Sequence, residues 1–217
     1  MRHQDIPAPT IQRLSLYLRQ LELLKSNGID TVSSKKLGDV LGLTDAQVRK
    51  DLGHFGQFGK PGIGYGVERL IQGVRHILGT DRTWAAVLVG AGRLGNALAR
   101  YKGFHAKGIR LVAVLDNDPE LIGTSLGPES SLMVRSLDDL ETVAAANNVL
   151  LGIVCVPAKV AQEVVDRLVA AGVKGILNFA PVALSAPKGV AVRGVDLAVQ
   201  LEQLSFQVSG VLEEEGS

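Results

Sequence analysis

Apolar residues at the start of the chain recur in threes and fours. In "TIQRLSLYLRQLELLKSNG" they fall at Ile11, Leu14, Leu18, Leu21 and Leu24, the spacing of one buried helical face. Thr10 is the expected N-cap and Asn27-Gly28 the expected stop. A second helix is expected from Ser34 through Leu37, Val40 and Leu41, followed by the tight turn "GLT". Thr44 and Gln47 have the spacing of a capping box. They should open a third helix, "DAQVRKDLGHF", that buries Val48, Leu52 and Phe55. The periodicity then lapses. Gly56, Gly59, Gly62, Gly64 and Gly66 are interleaved with Phe58 and Tyr65, a mixture that suits neither a packed core nor a disordered linker. "VERLIQGVRHIL" restores a helical face through Val67, Leu70, Ile71, Val74, Ile77 and Leu78.

Beyond residue 83 the pattern changes. "WAAVLVG", "RLVAVLD", "VLLGIVCVP" and "GILNFAP" are short continuous apolar runs, as expected of strands buried on both faces. The helix "AKVAQEVVDRLVAAG" separates the last two. Alternating strands and helices predict a parallel, doubly wound sheet. At the end, "DLAVQLEQLSFQVSGVLEE" places Leu197, Leu201, Leu204, Val208 and Val211 at steps of four, three, four and three. This is a heptad-like seam, suited to its own sheet or to a second copy of the chain.

Helix, three-residue turn, helix is the helix-turn-helix layout. Gln47, Arg49, Lys50 and His54 fall off the apolar face of its second helix. In a major groove Gln47 would suit adenine, Lys50 guanine N7/O6 and Arg49 a phosphate, and the two basic residues could exchange roles. On a small bundle the same residues would be an ordinary solvated face. The glycine-rich segment favours the first reading, because it lies where a winged helix carries its wing. Lys60 would stand near the tip, and Gly62, Gly64 and Tyr65 would follow. Glycine lets a wing's backbone come close to DNA.

In "WAAVLVGAGRLGNALARY", Gly90, Gly92 and Gly95 match G-x-G-x-x-G between a strand and a helix. The first glycine permits the turn, the second admits a pyrophosphate, and the third lets helix pack on strand. Arg93 and Leu94 complete the loop. Asp116 ends the next strand, 21 residues beyond Gly95, suitably placed for an adenosine ribose. With no arginine directly after it, Asp116 should favour NAD(H) over NADP(H). "CVP" and "NFAP" end the later strands, so Val156, Pro157, Asn178, Phe179, Ala180 and Pro181 should lie on the ligand edge of the sheet, most of them making it apolar.

Composition narrows the class further. The chain has 217 residues, one cysteine and 46% hydrophobic residues. Cys155 can form no internal disulfide, and no zinc-type cluster is present in the sequence. No run reaches the roughly 18 apolar residues of a membrane span, and the start does not read as a signal peptide, so the cytoplasm is the expected location. Residues 1–80 hold 11 basic and 7 acidic residues, against 12 and 15 in the remainder. A net charge of +4 followed by −3 hints at a polyanionic partner for the first part. No catalytic set stands out, which argues against a small NAD-dependent dehydrogenase. A CoA-binding Rossmann protein is the other alternative.

Together, "SSKKLGDVLGLTDAQVRKDLGHFGQFGKPGIGY", "VGAGRLGNAL", "GILNFAPV" and "VDLAVQLEQLSF" resemble the Rex family of redox-sensing transcriptional repressors over about residues 8–211. The resemblance implies an α/β chain in three parts. Residues 1–80 would form a winged helix-turn-helix domain, 81–194 a Rossmann-type NADH/NAD+ domain, and 195–217 a C-terminal helix exchanged in a homodimer. It implies a repressor of palindromic operator DNA that NADH releases. It places Arg49 and Lys50 on the recognition helix and a wing from Lys60 to Tyr65. Tyr101 would lie near the nicotinamide. Asp196 would sit at the subunit interface, engaging Arg19 or that tyrosine. Pro61 stands where many relatives carry arginine, and Leu197 where some carry an aromatic residue.

Overall fold

The computed structural model describes residues 6–56, 58–60, 63–126 and 132–215, and the chain divides into two compact units, Met1–Arg82 and Thr83–Ser217. The first contains α1 (Ala8–Ser26), β1 (Thr31–Val32), α2 (Ser34–Leu41), α3 (Asp45–Gly53), β2 (Gly59–Lys60), β3 (Gly64–Gly66) and α4 (Val67–Leu78). Leu14, Tyr17, Leu18, Leu21 and Leu24 of α1 pack against Leu37, Val48 and Leu52 of the helix-turn-helix and Val67, Leu70, Ile71 and Val74 of α4. Ser33 and Thr44 cap α2 and α3, each hydroxyl accepting the amide three residues on at 3.1 Å. Gly42 ends α2 in the left-handed conformation, with φ 66°.

Three local expectations are corrected here. α1 starts earlier than expected, at Ala8 after the N-cap Pro7, because proline is tolerated in a first turn whose amides lack helical partners anyway. Thr10 is therefore a buried residue of α1 and not its cap. Val40 is exposed, and α2 buries Leu37 and Gly38 instead. The capping box is half made: Thr44 caps Gln47, but the Gln47 side chain turns to Asp51.

β1, β3 and β2 form a small antiparallel sheet in that order, with Val32 opposite Tyr65 and Lys60 opposite Gly64. Phe55, Phe58 and Tyr65 pack at its base on the helical core. A Cβ on Gly73 of α4 would overlap the Phe58 ring, so helix and hairpin approach closely there.

The second unit contains β4 (Trp84–Val89), α5 (Arg93–Ala99), α6 (Lys102–Ala106), β5 (Ile109–Asp116), β6 (Val134–Ser136), α7 (Leu140–Asn147), β7 (Leu151–Val154), α8 (Ala158–Ala170), β8 (Gly175–Asn178), β9 (Ala191–Gly194) and α9 (Leu197–Glu215). Its six strands are all parallel, in the order β6-β5-β4-β7-β8-β9. The order reverses between β4 and β7, and the crevice outside the carboxyl ends of these two strands is the ligand position of such sheets. One layer of the core joins Val87, Val89 and Val154 to Val164, Val165 and Leu168 of α8. Another joins Leu88, Val114 and Ile153 to Leu98, Phe104 and Phe179.

Candidate functional site

In the first unit the candidate DNA-reading helix is α3. Arg49 and Lys50 are exposed on it. The Arg49 guanidinium donates to Asp45 one turn back, at 2.6 Å, and to the Ser34 hydroxyl at the start of α2, at 3.2 Å. Lys60 pairs through its backbone with Gly64 in the hairpin. Gly64 has φ +92°, and a Cβ there would overlap the Val32 carbonyl. Tyr65 is half-buried. Gly62 and Pro61 lie outside the described residues. Arg19 is exposed on α1.

Sequence reasoning missed Asp51. It is 1% exposed, between Val48 and Leu52 on the apolar face of α3. Arg13 grips it with two bonds, Nε to Oδ2 at 2.6 Å and Nη2 to Oδ1 at 2.8 Å. The Tyr17 hydroxyl donates to Oδ2 at 2.7 Å, the Gln47 amide nitrogen to Oδ1 at 2.8 Å, and the Thr10 hydroxyl to Oδ1 at 3.3 Å. Burial pushes the Asp51 carboxyl up, but the donors from Arg13, Tyr17 and Gln47 outweigh it and hold the carboxyl at about 2. Burial and the same carboxylate push the Tyr17 phenol above its ordinary value. The available signal was a charge placed three residues after Val48 on a buried face, with Arg13 and Tyr17 one turn apart on α1.

In the second unit the glycine loop follows β4. The Gly90 amide donates to the Leu115 carbonyl at 2.8 Å. Gly90 has φ +101°, and a Cβ there would overlap the Cys155 carbonyl. A Cβ on Gly95 would overlap the Gly90 carbonyl, whereas one on Gly92 would meet nothing within 4 Å. Two of the three glycines are thus demanded by the chain itself, and Gly92 is free to admit something else. The Asp116 carboxylate accepts the Ala91 amide at 2.6 Å and the Asp118 amide at 2.9 Å, which ties the end of β5 to the loop.

A cleft of about 310 Å3 opens there, lined by Gly90, Gly92, Asp116, Asp118, Val156, Pro157 and Glu163 among others. Its walls are apolar at Val89, Leu121, Leu137, Val160 and Val164, and its charged lining consists of carboxylates, with no Lys or Arg among the described residues. Such a site suits an apolar ring carrying hydroxyl donors and opposes a phosphate at that end. Cys155 also lines the cleft, its thiol pushed up to about 12 by burial, so it is a poor nucleophile.

The remaining expected ligand residues lie outside this cleft. Arg93 and Leu94 are exposed on α5. Tyr101 is exposed and meets Phe104 edge-on, with ring centroids 5.2 Å apart. The Asn178 amide is buried and fully engaged: it donates to the carbonyls of Ala180 and Val182 at 3.0 Å and accepts the Ala180 amide at 2.9 Å. It therefore holds the loop bearing Phe179 and Ala180. His105 is exposed on α6.

α9 carries its seam in the open. Leu197, Leu201 and Leu204 are 63%, 64% and 53% exposed, and Val208 and Val211 are exposed likewise. Asp196 caps the helix, its Oδ1 accepting the Ala198 and Val199 amides at 2.9 and 3.2 Å.

Comparisons with known proteins follow this division. Residues 5–53 match the family described as "Putative DNA-binding protein N-terminus", and residues 81–182 match the CoA binding domain family. The chain is 50% identical over 208 residues to a redox-sensing transcriptional repressor Rex of Carboxydothermus hydrogenoformans, covering 96% of this chain and 99% of that one. It is 43% identical to the protein of the same name from Roseiflexus sp., covering 96% and 93%. The crystal structure of RSP in complex with β-NAD+ and operator DNA matches with TM-score 0.90 at 36% identity, over 97% of this chain and 96% of that one. RSP in complex with β-NADH matches with TM-score 0.87 at 34% identity, over 98% and 99%.

Proposed function

The chain belongs to the Rex family of redox-sensing transcriptional repressors, which are not enzymes, and we propose that it acts as a cytoplasmic homodimer that binds palindromic operator DNA and is released by NADH. The observation that carries this reading is the near-complete match to a protein solved both with operator DNA and β-NAD+ and with β-NADH.

The cleft fits a dinucleotide. Gly92 leaves room for close approach, and Asp116, with Asp118 and Glu163, offers acceptors for ribose hydroxyls. Gly90, Gly92, Arg93, Leu94 and Gly95 would lie along the pyrophosphate. Val156, Pro157, Tyr101, Phe179 and Ala180 would surround the nicotinamide, with Asn178 holding their loop. The coenzyme supplies a ring that is positively charged when oxidised and neutral when reduced. Apolar Val156, Phe179 and Ala180 penalise a buried charge that no anion attends, so they favour the reduced form. Arg49 and Lys50 of α3, with the wing from Lys60 to Tyr65, would contact the DNA. The seam of α9 would be covered by a second copy, and Arg19 and Asp196 would form an ion pair exchanged on switching.

The match to CoA binding domains favours a second reading, CoA in the same cleft. CoA carries a phosphate on its adenosine ribose, and a lining of carboxylates opposes it.

Titrating NADH with and without operator DNA tests the main reading. If NADH weakens DNA binding, DNA must weaken NADH binding by the same factor, typically about 5–150-fold. Equal NADH affinities in the two titrations, or CoA displacing DNA where NADH does not, would overturn it.

A further inference from the structure

Asp51 is buried in the apolar face of α3, where an aliphatic side chain would pack with no need of partners. Replacing a buried ion pair by apolar residues is often neutral or stabilising, so stability alone is a weak reason for this cluster. One of its four donors sits at the edge of the core: Gln47, half-buried in the first turn of α3. The N-terminal residues of a recognition helix are those that reach base edges.

The carboxylate is ionised, so it can only accept hydrogen bonds. The atom of Gln47 that faces it must therefore be the amide nitrogen. A glutamine amide that no neighbour constrains can rotate about its last side-chain bond, exchanging the places of oxygen and nitrogen. Here that freedom is removed. Arg13 and Tyr17 fix the carboxylate from the α1 side, so α1 sets the orientation of a side chain on α3.

We propose that Asp51 is the positioning residue for Gln47, locking its carboxamide as a base reader that selects adenine over guanine at one position of each DNA half-site. The proposal rests on the reading of α3 as the major-groove helix. With one N–H given to Asp51, the amide keeps its oxygen and its second N–H. Adenine presents a donor, N6, beside an acceptor, N7, and matches that pair; guanine presents two acceptors, O6 and N7. Discrimination of roughly 5–150-fold against guanine is expected from one such contact.

The experiment selects bound duplexes from a randomised library with the full chain and its variants, and records melting temperatures alongside. The wild type should select a two-half-site motif with adenine fixed at one position in each half. Gln47→Ala should select the same motif with that position degenerate, and Asp51→Asn should do likewise. Tyr17→Phe loses a bond only to Oδ2, so its melting temperature should fall while the motif stays sharp. If Asp51→Asn fails to fold, Gln47→Glu decides. Repelled by Asp51, the new carboxylate should leave the position degenerate; a switch to cytosine, which glutamate reads when correctly placed, would show that Asp51 has no hold on residue 47. An unchanged motif in Gln47→Ala, or in a folded Asp51→Asn, overturns the proposal. A wild type that selects no motif overturns it too, but through the loss of the DNA-binding reading itself.

Discussion

The carbonyl oxygen of Gly90 occupies the space in which a Cβ on Gly95 would stand. Gly92, between them in the same loop, has no neighbour within 4 Å of that position and an ordinary φ of −62°. The two glycines should respond oppositely to alanine. Gly95→Ala forces α5 away from β4 and is expected to cost about 1–3 kcal/mol, as overpacking does. Gly92→Ala should leave the melting temperature near wild type and weaken NADH binding, because the added methyl stands where the coenzyme approaches. Thermal melts paired with NADH titrations check both. A Gly92→Ala variant with wild-type affinity would move the dinucleotide away from this loop.

Asp51 links the first unit to pH. Its folded-state carboxyl is held at about 2, below the ordinary 3.8. A depressed value means that the contribution is present above the unfolded pKa and lost as pH falls through the folded one. The first unit should therefore weaken between about pH 4 and pH 2, by about 2 kcal/mol. Asp51→Asn removes this dependence. Its melting-temperature deficit relative to wild type, large at neutral pH where the half-buried Arg13 loses its counter-charge, should shrink in acid. A deficit constant over that range would mean that Asp51 titrates alike in both states.

Leu201 and Leu204 of α9 are more than half exposed, an arrangement that a helix on its own sheet does not require. Leu204→Glu should leave each chain folded, since the residue has little packing to lose within one chain, and should shift the sedimentation of the protein from dimer to monomer. Operator affinity should fall with it, because a single half-site is then read alone. A folded Leu204→Glu protein that still sediments as the wild type would remove the proposed dimer contact from this seam.

Long periodic or continuous apolar segments were legible in the sequence. α4 runs over Val67–Leu78, the span its pattern predicted, and β4, β5, β7 and β8 follow their apolar runs. β6 and β9 were missed because each is a short edge strand paired on one side only, and "VRS" and "AVRG" have little apolar surface to reveal them. α7 was missed because three of the eight residues of "LETVAAAN" are alanine and no side chain caps its start, which leaves a weak stripe. The glycine motif was legible because each glycine answers a steric demand, but Asp118 and Glu163 entered the cleft only through the packing of β5 and α8 against it. Asp51 stayed hidden because its meaning depends on Arg13 and Tyr17, 38 and 34 residues away, which no local pattern joins.

Asp196 has two separable duties. Its carboxylate caps α9 through the Ala198 and Val199 amides, a role that needs an acceptor but no charge. The proposed exchange with Arg19 needs the charge. Asparagine and aspartate cap about equally well, whereas alanine costs roughly 0.5–2 kcal/mol at such a position. Asp196→Asn should thus keep the dimer and its operator affinity in the absence of coenzyme. The factor by which NADH weakens DNA binding should fall toward one. Asp196→Ala should show the same lost coupling together with a lower melting temperature. NADH titrations with and without operator, run on both variants, separate the two duties. If Asp196→Asn retains the full wild-type coupling, the residue is a helix cap alone and the switch must run through other groups.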